Sequence, residues 1–121
     1  LYNVDGFKRD PPLGFEWVQK AHQAGDVWAT GTMGFCLAEG FGTSKNLSEG
    51  IMYITSAAYK GSDYAAYELG MALANGKYGL SVKYDEARKW LKTALEESSI
   101  ENLNDYGKKN AHEKLQEIRL L

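Results

Sequence analysis

The sequence predicts an all-α fold, an α-solenoid of stacked helical hairpins. The first observation is an internal repeat, because residues 25–40 and 61–76 align without a gap at an offset of 36 residues. The second is the spacing of apolar residues, which recur at three- and four-residue steps as on one face of an α-helix. A repeat of this length is one unit that buries its apolar face by stacking on its neighbours. The 121 residues are therefore expected to form one domain of stacked helices.

Two full units make up the repeat, residues 25–60 and residues 61–97. Each unit is interpreted as a helix, a glycine-containing turn and a second helix. If Lys77 is a one-residue insertion, the second helices align at an offset of 37 residues, which pairs Tyr53 with Trp90. The identical pairs in the first helices are Gly25/Gly61, Ala29/Ala65, Gly34/Gly70, Leu37/Leu73, Ala38/Ala74 and Gly40/Gly76.

A partial unit precedes the two full ones. Residues 1–14 show no periodicity and are predicted to be an extended N-terminal lead-in. Residues 15–24 are predicted to be the second helix of a partial repeat. The reason is that Trp17 and Ala21 stand 36 residues before their counterparts in the first full unit.

The C-terminal residues 98–121 are predicted to be a linker and a capping helix. One face of this helix carries Ala111, Leu115 and Ile118, and its other face is charged. A polar outer face is what the terminal helix of a solenoid needs.

Both first helices carry a glycine in their middle, Gly34 and Gly70. Glycine in a helix costs about 0.5–1 kcal/mol relative to alanine, so a packing contact is expected to offset the loss. We expect both positions to lie where helices cross closely, because a side chain there would hold the two backbones apart.

The second helices differ in their predicted N-terminal caps. Asn46 is a good N-cap for the first of them, and Glu49 follows three residues later. Lys83 stands at the equivalent position in the second unit and offers no capping oxygen. The cap of that helix is therefore expected to shift to Asp85.

Charge, hydropathy and cysteine content indicate which partners and which cellular location we expect for the chain. The net charge is −2 and the basic residues are scattered, which argues against a nucleic-acid partner. No apolar run approaches the roughly 18 residues that a membrane span needs. The single cysteine, Cys36, excludes an intrachain disulfide framework, which favours an intracellular or organellar location. Because the chain begins at Leu1, we expect it to be a processed or excised part of something longer.

One modification motif is present, Asn46-Leu47-Ser48, which matches an N-glycosylation acceptor. Such triplets are common by chance, and the sequence leaves open whether Asn46 is ever glycosylated.

Residues with catalytic potential are dispersed along the chain. His22 and His112 lie far apart without a metal-binding partner motif, and His22 is expected to be structural. Cys36 corresponds to Ala72 of the next unit and is expected to be a small packing residue. Four carboxylates near the linker are expected to form a solvated helix end: Glu96, Glu97, Glu101 and Asp105. The sequence therefore predicts no catalytic residue, no metal site and no cofactor.

Together these residues resemble the Sel-one-like repeat family, a branch of the tetratricopeptide class of helical repeats. The resemblance covers about residues 15–97, and the chain departs from the family pattern at Thr43, Gly50 and Lys83. In the second unit the matching residues are Ala65, Leu69, Gly70, Leu73, Gly76, Gly79, Leu80, Ala87, Trp90 and Ala94. In the first unit they are Ala29, Met33, Gly34, Leu37, Gly40, Gly42, Tyr53, Ala57 and Ala58.

Members of this family mostly act as adaptors and scaffolds. The resemblance therefore implies a non-catalytic module that holds a protein or peptide partner on the concave surface of the stacked first helices. Trp28 and Tyr64 occupy the same repeat position there and would form a ladder of aromatic anchors. The alternative for these two side chains is that Trp28 packs under the lead-in segment and Tyr64 covers a neighbouring helix. The full set expected to contact the partner is Trp28, Thr32, Phe35, Tyr64, Glu68 and Met71.

The sequence leaves two other functions open. A secreted, cysteine-rich branch of the same family is associated with β-lactam binding or hydrolysis. The alternative function is therefore a small-molecule or cell-wall-ligand binder with weak hydrolase activity. That branch relies on a disulfide within each repeat, whereas this chain has Cys36 alone. A third possibility is a structural subunit whose exposed solenoid ends dock onto a larger assembly.

Overall fold

The fold is entirely helical over the residues that the computed structural model describes, 10–96 and 103–120. Within these ranges the chain forms six α-helices and one 3₁₀ turn, and no strand occurs there. The all-α prediction is therefore confirmed. The elements are α1 Pro11–Gln23, α2 Val27–Glu39, α3 Leu47–Tyr59, α4 Asp63–Asn75, the 3₁₀ turn Lys77–Gly79, α5 Tyr84–Leu95 and α6 Asp105–Arg119.

The helices follow one another as a solenoid. Helices α2 and α3 form the first hairpin, and α4 and α5 form the second. Helix α1 packs on α2, α3 packs on α4, and α6 packs on both α5 and α4. Each hairpin therefore touches the elements next to it in the chain, which is the stacking that the sequence repeat predicts.

Helix α1 begins earlier than the sequence suggests. Its first residue is Pro11, so part of the predicted lead-in 1–14 is helical, while residues 1–9 lie outside the described residues. The Oδ1 of Asp10 accepts a hydrogen bond from the backbone N–H of Leu13 at 3.2 Å and caps the helix. Proline suits the first helical positions, because the N–H that it lacks has no intrahelical partner there.

Most helices begin at a residue whose side chain caps them. Asn46 accepts from the N–H of Glu49 at 3.1 Å, as its sequence position predicts. The cap of α5 does not shift to Asp85, because the helix begins at Tyr84 and Lys83 occupies the N-cap position without a side-chain hydrogen bond. Asp85 instead accepts from Arg88 at 2.9 Å, one turn further along the same helix. The start of α5 is therefore uncapped by any side chain.

The mid-helix glycines lie at close crossings between the two helices of each hairpin. A Cβ atom on Gly34 would lie 2.8 Å from the backbone nitrogen of Ile54 in α3. A Cβ atom on Gly70 would lie 2.8 Å from the Cγ of Leu91 in α5. Such distances are closer than real Cβ contacts allow, so the packing explains the glycines.

Two apolar clusters form the core. The smaller one joins α1 to α2 through Val18, Ala29, Met33 and Leu37. The larger one extends from Ala38 of α2 through every later helix. Its α6 members are Ala111 and Ile118, with Leu115 packed against them. Helix α6 therefore covers the last hairpin with the apolar face that the sequence pattern predicts. In the described part of the chain no helix is long and apolar enough to cross a membrane.

Candidate functional site

A cavity opens between the first helices of the two hairpins. It has a volume of about 160 Å³ and is called the inter-repeat cavity below. Its described lining residues are Trp28, Gly31, Thr32, Phe35, Ile54, Ser62, Tyr64, Ala65 and Glu68. Five of the six residues expected to contact a partner therefore surround one space.

Helical periodicity explains how these side chains reach the cavity. Trp28, Thr32 and Phe35 are spaced by four and three residues, so they share one face of α2. Tyr64 and Glu68 share one face of α4 in the same way. Because the hairpins stack with a 36-residue repeat, equivalent faces of α2 and α4 border the same gap.

The gap between α2 and α4 stays open because the residues that line it there are small, and a buried side chain forms its inner wall. Gly31 of α2 and Ala65 of α4 line the cavity without reaching across it. Ile54 of α3 is 1% exposed and closes the cavity from the core side. The Oγ of Ser62 accepts from the N–H of Ala65 at 3.1 Å and fixes the start of α4 beside the cavity.

The aromatic residues have partly buried positions at the cavity. Trp28 packs against the smaller core cluster, and Tyr64 packs against the larger one. Phe35 is more open, with 39% of its surface exposed. Trp28 and Tyr64 therefore both contact the core and line the cavity, so their role as binding anchors stays a prediction.

Met71 is the sixth residue expected at the binding surface, and it lies apart from the described cavity lining. Its side chain is partly buried and packs against the larger core cluster. Although Met71 is the repeat equivalent of Phe35, the gap between α2 and α4 reaches Phe35 and does not extend to Met71.

Glu68 is the one charged side chain among the described residues of the lining. Burial raises the pKa of its carboxyl above the usual range, and the charge of Glu39 adds a smaller increase. Lys77 acts in the opposite direction. Among the described residues, burial and the charges of Lys77 and Glu39 act on this carboxyl, and no hydrogen bond contributes to its pKa. Among the described residues, the burial of this carboxylate is therefore offset by the charge of Lys77 and not by a hydrogen bond.

A polar cluster lies close by and links the turns of the two hairpins. The hydroxyl of Tyr78 donates to the Oε1 of Glu39 at 2.8 Å, and Lys77 Nζ lies 3.1 Å from the same oxygen. The hydrogen bond from Tyr78 and then that from Lys77 lower the pKa of Glu39. Burial raises the pKa of Tyr78 to about 12. Lys77 therefore interacts with both Tyr78 and Glu39, and its charge also acts on Glu68.

The other residues with catalytic potential have structural surroundings. Burial raises the pKa of Cys36 to about 11, so its thiol is protonated and weakly nucleophilic at neutral pH. His22 Nδ1 lies 2.7 Å from Thr30 Oγ1 and joins α1 to α2. Glu97 and Glu101 lie outside the described residues. Among those that are described, no group of three potential metal ligands comes together.

A second cavity, of about 400 Å³, was not predicted from the sequence. It lies on the second helices of the hairpins, where the rings of Tyr59 and Trp90 meet edge to face with centroids 4.9 Å apart. Glu86, Lys89 and Thr93 complete its described lining. The one signal in the sequence is Trp90, a large aromatic residue within the amphipathic stripe of α5.

Comparisons with known proteins agree with this architecture. A family model described as Sel1 repeat matches residues 4–26, 33–62 and 63–99, which together span most of the chain. A solved structure of a Sel1 repeat protein from Oxalobacter formigenes superimposes with a TM-score of 0.73 at 28% sequence identity. The superposition covers 89% of this chain and 40% of that chain, so the present chain spans less than half of that relative. A comparison with curated proteins found no match.

Proposed function

Since the chain belongs to the Sel1 repeat family, we propose that it is a non-catalytic module that binds a protein or peptide on the face shared by α2 and α4. Sel1 repeats are generally protein-interaction modules. The proposal adds to this general role a particular surface on this chain, the inter-repeat cavity and the aromatic residues beside it.

The observation that carries the proposal is the juxtaposition of Trp28 and Tyr64 at one cavity. Tryptophan and tyrosine are among the residues that most often dominate binding energy at interfaces, and they do so when they border a well-packed pocket. Phe35 adds a partly exposed ring to the same lining. A partner side chain that enters the cavity would be in contact with all three rings.

The alternative, a ligand-binding protein with weak hydrolase activity, receives less support from the described residues. Hydrolysis requires a nucleophile or an activated water, and a second group usually shares the proton transfers. The inter-repeat cavity contributes one carboxyl group, Glu68. Cys36 is buried and its pKa is raised, so it is a poor nucleophile.

Affinity capture from the native source tests the proposal. The chain is immobilised as wild type, as Tyr64→Ala and as Tyr59→Ala, and retained proteins are identified by mass spectrometry. Tyr59 is the matched control, because it is a tyrosine at the second cavity and not at the inter-repeat cavity. We expect the wild type and Tyr59→Ala to retain the same partner proteins. A folded Tyr64→Ala variant should lose them. Equal retention by all three would contradict the proposed surface.

A further inference from the structure

We propose that the inter-repeat cavity accepts a positively charged side chain, arginine in particular, from a peptide partner. This inference rests on the proposed function and adds the chemistry of the group that enters the cavity. It depends on Glu68, on the three aromatic rings and on the charges around them.

The charge of the cavity favours a cationic ligand. Glu68 is the one charged residue among the described lining, and no hydrogen bond from a described residue contributes to the pKa of its carboxyl. The described cation whose charge acts on it is Lys77, whose Nζ lies 3.1 Å from the Oε1 of Glu39. An acidic ligand side chain would be repelled by Glu68. An apolar one would remove the remaining water from the carboxylate without replacing its hydrogen bonds.

The aromatic lining of the cavity also favours a cation. Trp28, Phe35 and Tyr64 all border the cavity that contains Glu68. The faces of aromatic rings attract cations, with tryptophan the strongest, and the attraction grows when the cation is desolvated. Arginine suits such a site better than lysine, because its guanidinium is planar, stacks on rings, is weakly hydrated and pairs with carboxylates through two hydrogen bonds.

The size of the cavity suits a guanidinium group. The inter-repeat cavity measures about 160 Å³. An engineered apolar cavity of about 150 Å³ in another protein holds a benzene molecule. A guanidinium group is also planar and has fewer heavy atoms than benzene, so the end of an arginine side chain fits the available space.

A selection with defined peptides tests the inference. A random peptide library displayed on phage is selected on wild-type protein and separately on the charge-reversed variant Glu68→Lys. Peptides that bind at the inter-repeat cavity are those that no longer bind the Tyr64→Ala variant. In these peptides we expect arginine, and lysine to a lesser degree, to be enriched at one position. The Glu68→Lys variant should lose this enrichment and favour aspartate or glutamate at that position.

A synthetic peptide from the selection then provides a matched chemical comparison. Its selected arginine is replaced by citrulline, which has nearly the same shape and no charge. We expect binding to wild type to weaken by about tenfold or more, the scale of one charged hydrogen bond. The same replacement should have little effect on binding to Glu68→Gln. Circular dichroism of each variant confirms that it is folded.

The outcomes separate the inference from the proposed function. Peptides that depend on Tyr64 but show no basic preference, or that tolerate citrulline equally well on wild type, would overturn the inference and leave the proposed function intact. If no selected peptide depends on Trp28 or Tyr64, both are overturned. Basic enrichment that survives Glu68→Lys would also refute the inference, because the attraction would then come from elsewhere.

Discussion

Gly34 and Gly50 face each other across the first hairpin. A Cβ atom on Gly34 would lie 2.7 Å from the carbonyl oxygen of Gly50, and one on Gly50 would lie 2.8 Å from the carbonyl oxygen of Gly34. The second hairpin has Gly70 at the first of these positions and Ala87 at the second. The first hairpin therefore excludes a side-chain carbon at both positions, whereas the second accommodates one on α5.

The variant Gly34→Ala is expected to destabilise the protein by about 1–3 kcal/mol, the usual cost of overpacking. The reason is that its new methyl group would meet backbone atoms, which cannot rotate away. Gly31→Ala is the matched control in the same helix, because its nearest neighbour would be the Cβ of Ala57 at 3.3 Å. We expect the control to stay within about 1 kcal/mol of wild type, the size of the helix-propensity gain. Urea unfolding measures both, and equal stabilities would contradict the close crossing.

The variant Lys83→Asn is expected to stabilise the protein by about 1 kcal/mol, because it supplies the side-chain cap that α5 lacks. It also removes a positive charge from the positive end of the helix dipole. Asn46→Ala is the complementary change and should cost a similar amount, since Asn46 caps α3. Thermal unfolding followed by circular dichroism compares the two. A Lys83→Asn variant that melts no higher than wild type would contradict this reading of the α5 terminus.

The variant Glu68→Gln is expected to raise the free energy of unfolding at neutral pH. Burial raises the folded-state pKa of Glu68, with Glu39 adding to the shift and Lys77 opposing it. The Glu68 carboxyl therefore binds a proton more readily in the folded state than in the unfolded state. Its ionisation lowers the free energy of unfolding when the pH is above the folded-state pKa. The advantage of the variant should shrink as the pH falls through that pKa.

Glu39→Gln is the opposite control for this pH dependence. The folded-state pKa of Glu39 is lowered, first by the hydrogen bond from Tyr78 and then by that from Lys77. Its carboxylate therefore stabilises the fold at neutral pH, and that contribution is lost as the pH falls. Denaturant unfolding at neutral pH and at several acidic values should show differences of opposite sign for the two variants. Parallel pH profiles would refute the assignment for Glu68.

Deletion of residues 107–121 is expected to expose the apolar surface of the last hairpin and to cause aggregation or a lower melting temperature. Ala111 and Ile118 of α6 are buried in the larger core cluster, which also contains Leu91 and Ala94 of α5. Removal of residues 120–121 alone is the control, because Leu120 is 79% exposed. Size-exclusion chromatography and thermal unfolding compare the two deletions. An undiminished melting temperature in a monomeric 107–121 deletion would show that α6 does not act as a cap.

The repeat made the fold predictable, because equivalent residues must pack in equivalent ways. Gly34 and Gly70 indicated close helix crossings, because glycine is unfavourable in the middle of a helix unless packing requires it. The start of α1 was missed because two prolines suggest a turn, although with Asp10 as a cap they also suit a helix start. The repeat boundaries within the chain stay a prediction, and the family matches divide the chain at slightly different residues.

The sequence predicted those residues of the candidate site that occupy equivalent repeat positions, and it did not predict the others. Trp28 and Tyr64 occupy the same repeat position, which predicted that they would line one surface. The absence of Met71 from the described lining could not be predicted, because the extent of the cavity depends on how several helices pack together. The contact between Tyr78 and Glu39 joins residues 39 positions apart and involves the inserted turn, so the repeat offers no template for it. Tyr59 and Trp90 meet across helices at positions that the repeat does not pair.

The most direct test of the account compares affinity with stability for Trp28→Ala and Tyr64→Ala. Titration of a captured partner or a selected peptide gives Kd, and thermal unfolding gives the melting temperature of the same samples. Trp17→Ala is the control for loss of a tryptophan, since Trp17 is 52% exposed on α1. For interface anchors we expect a loss of about 2 kcal/mol or more, a roughly 30-fold weaker Kd, in variants that remain folded. A sharp drop in melting temperature with unchanged affinity per folded molecule would show that both side chains serve the core.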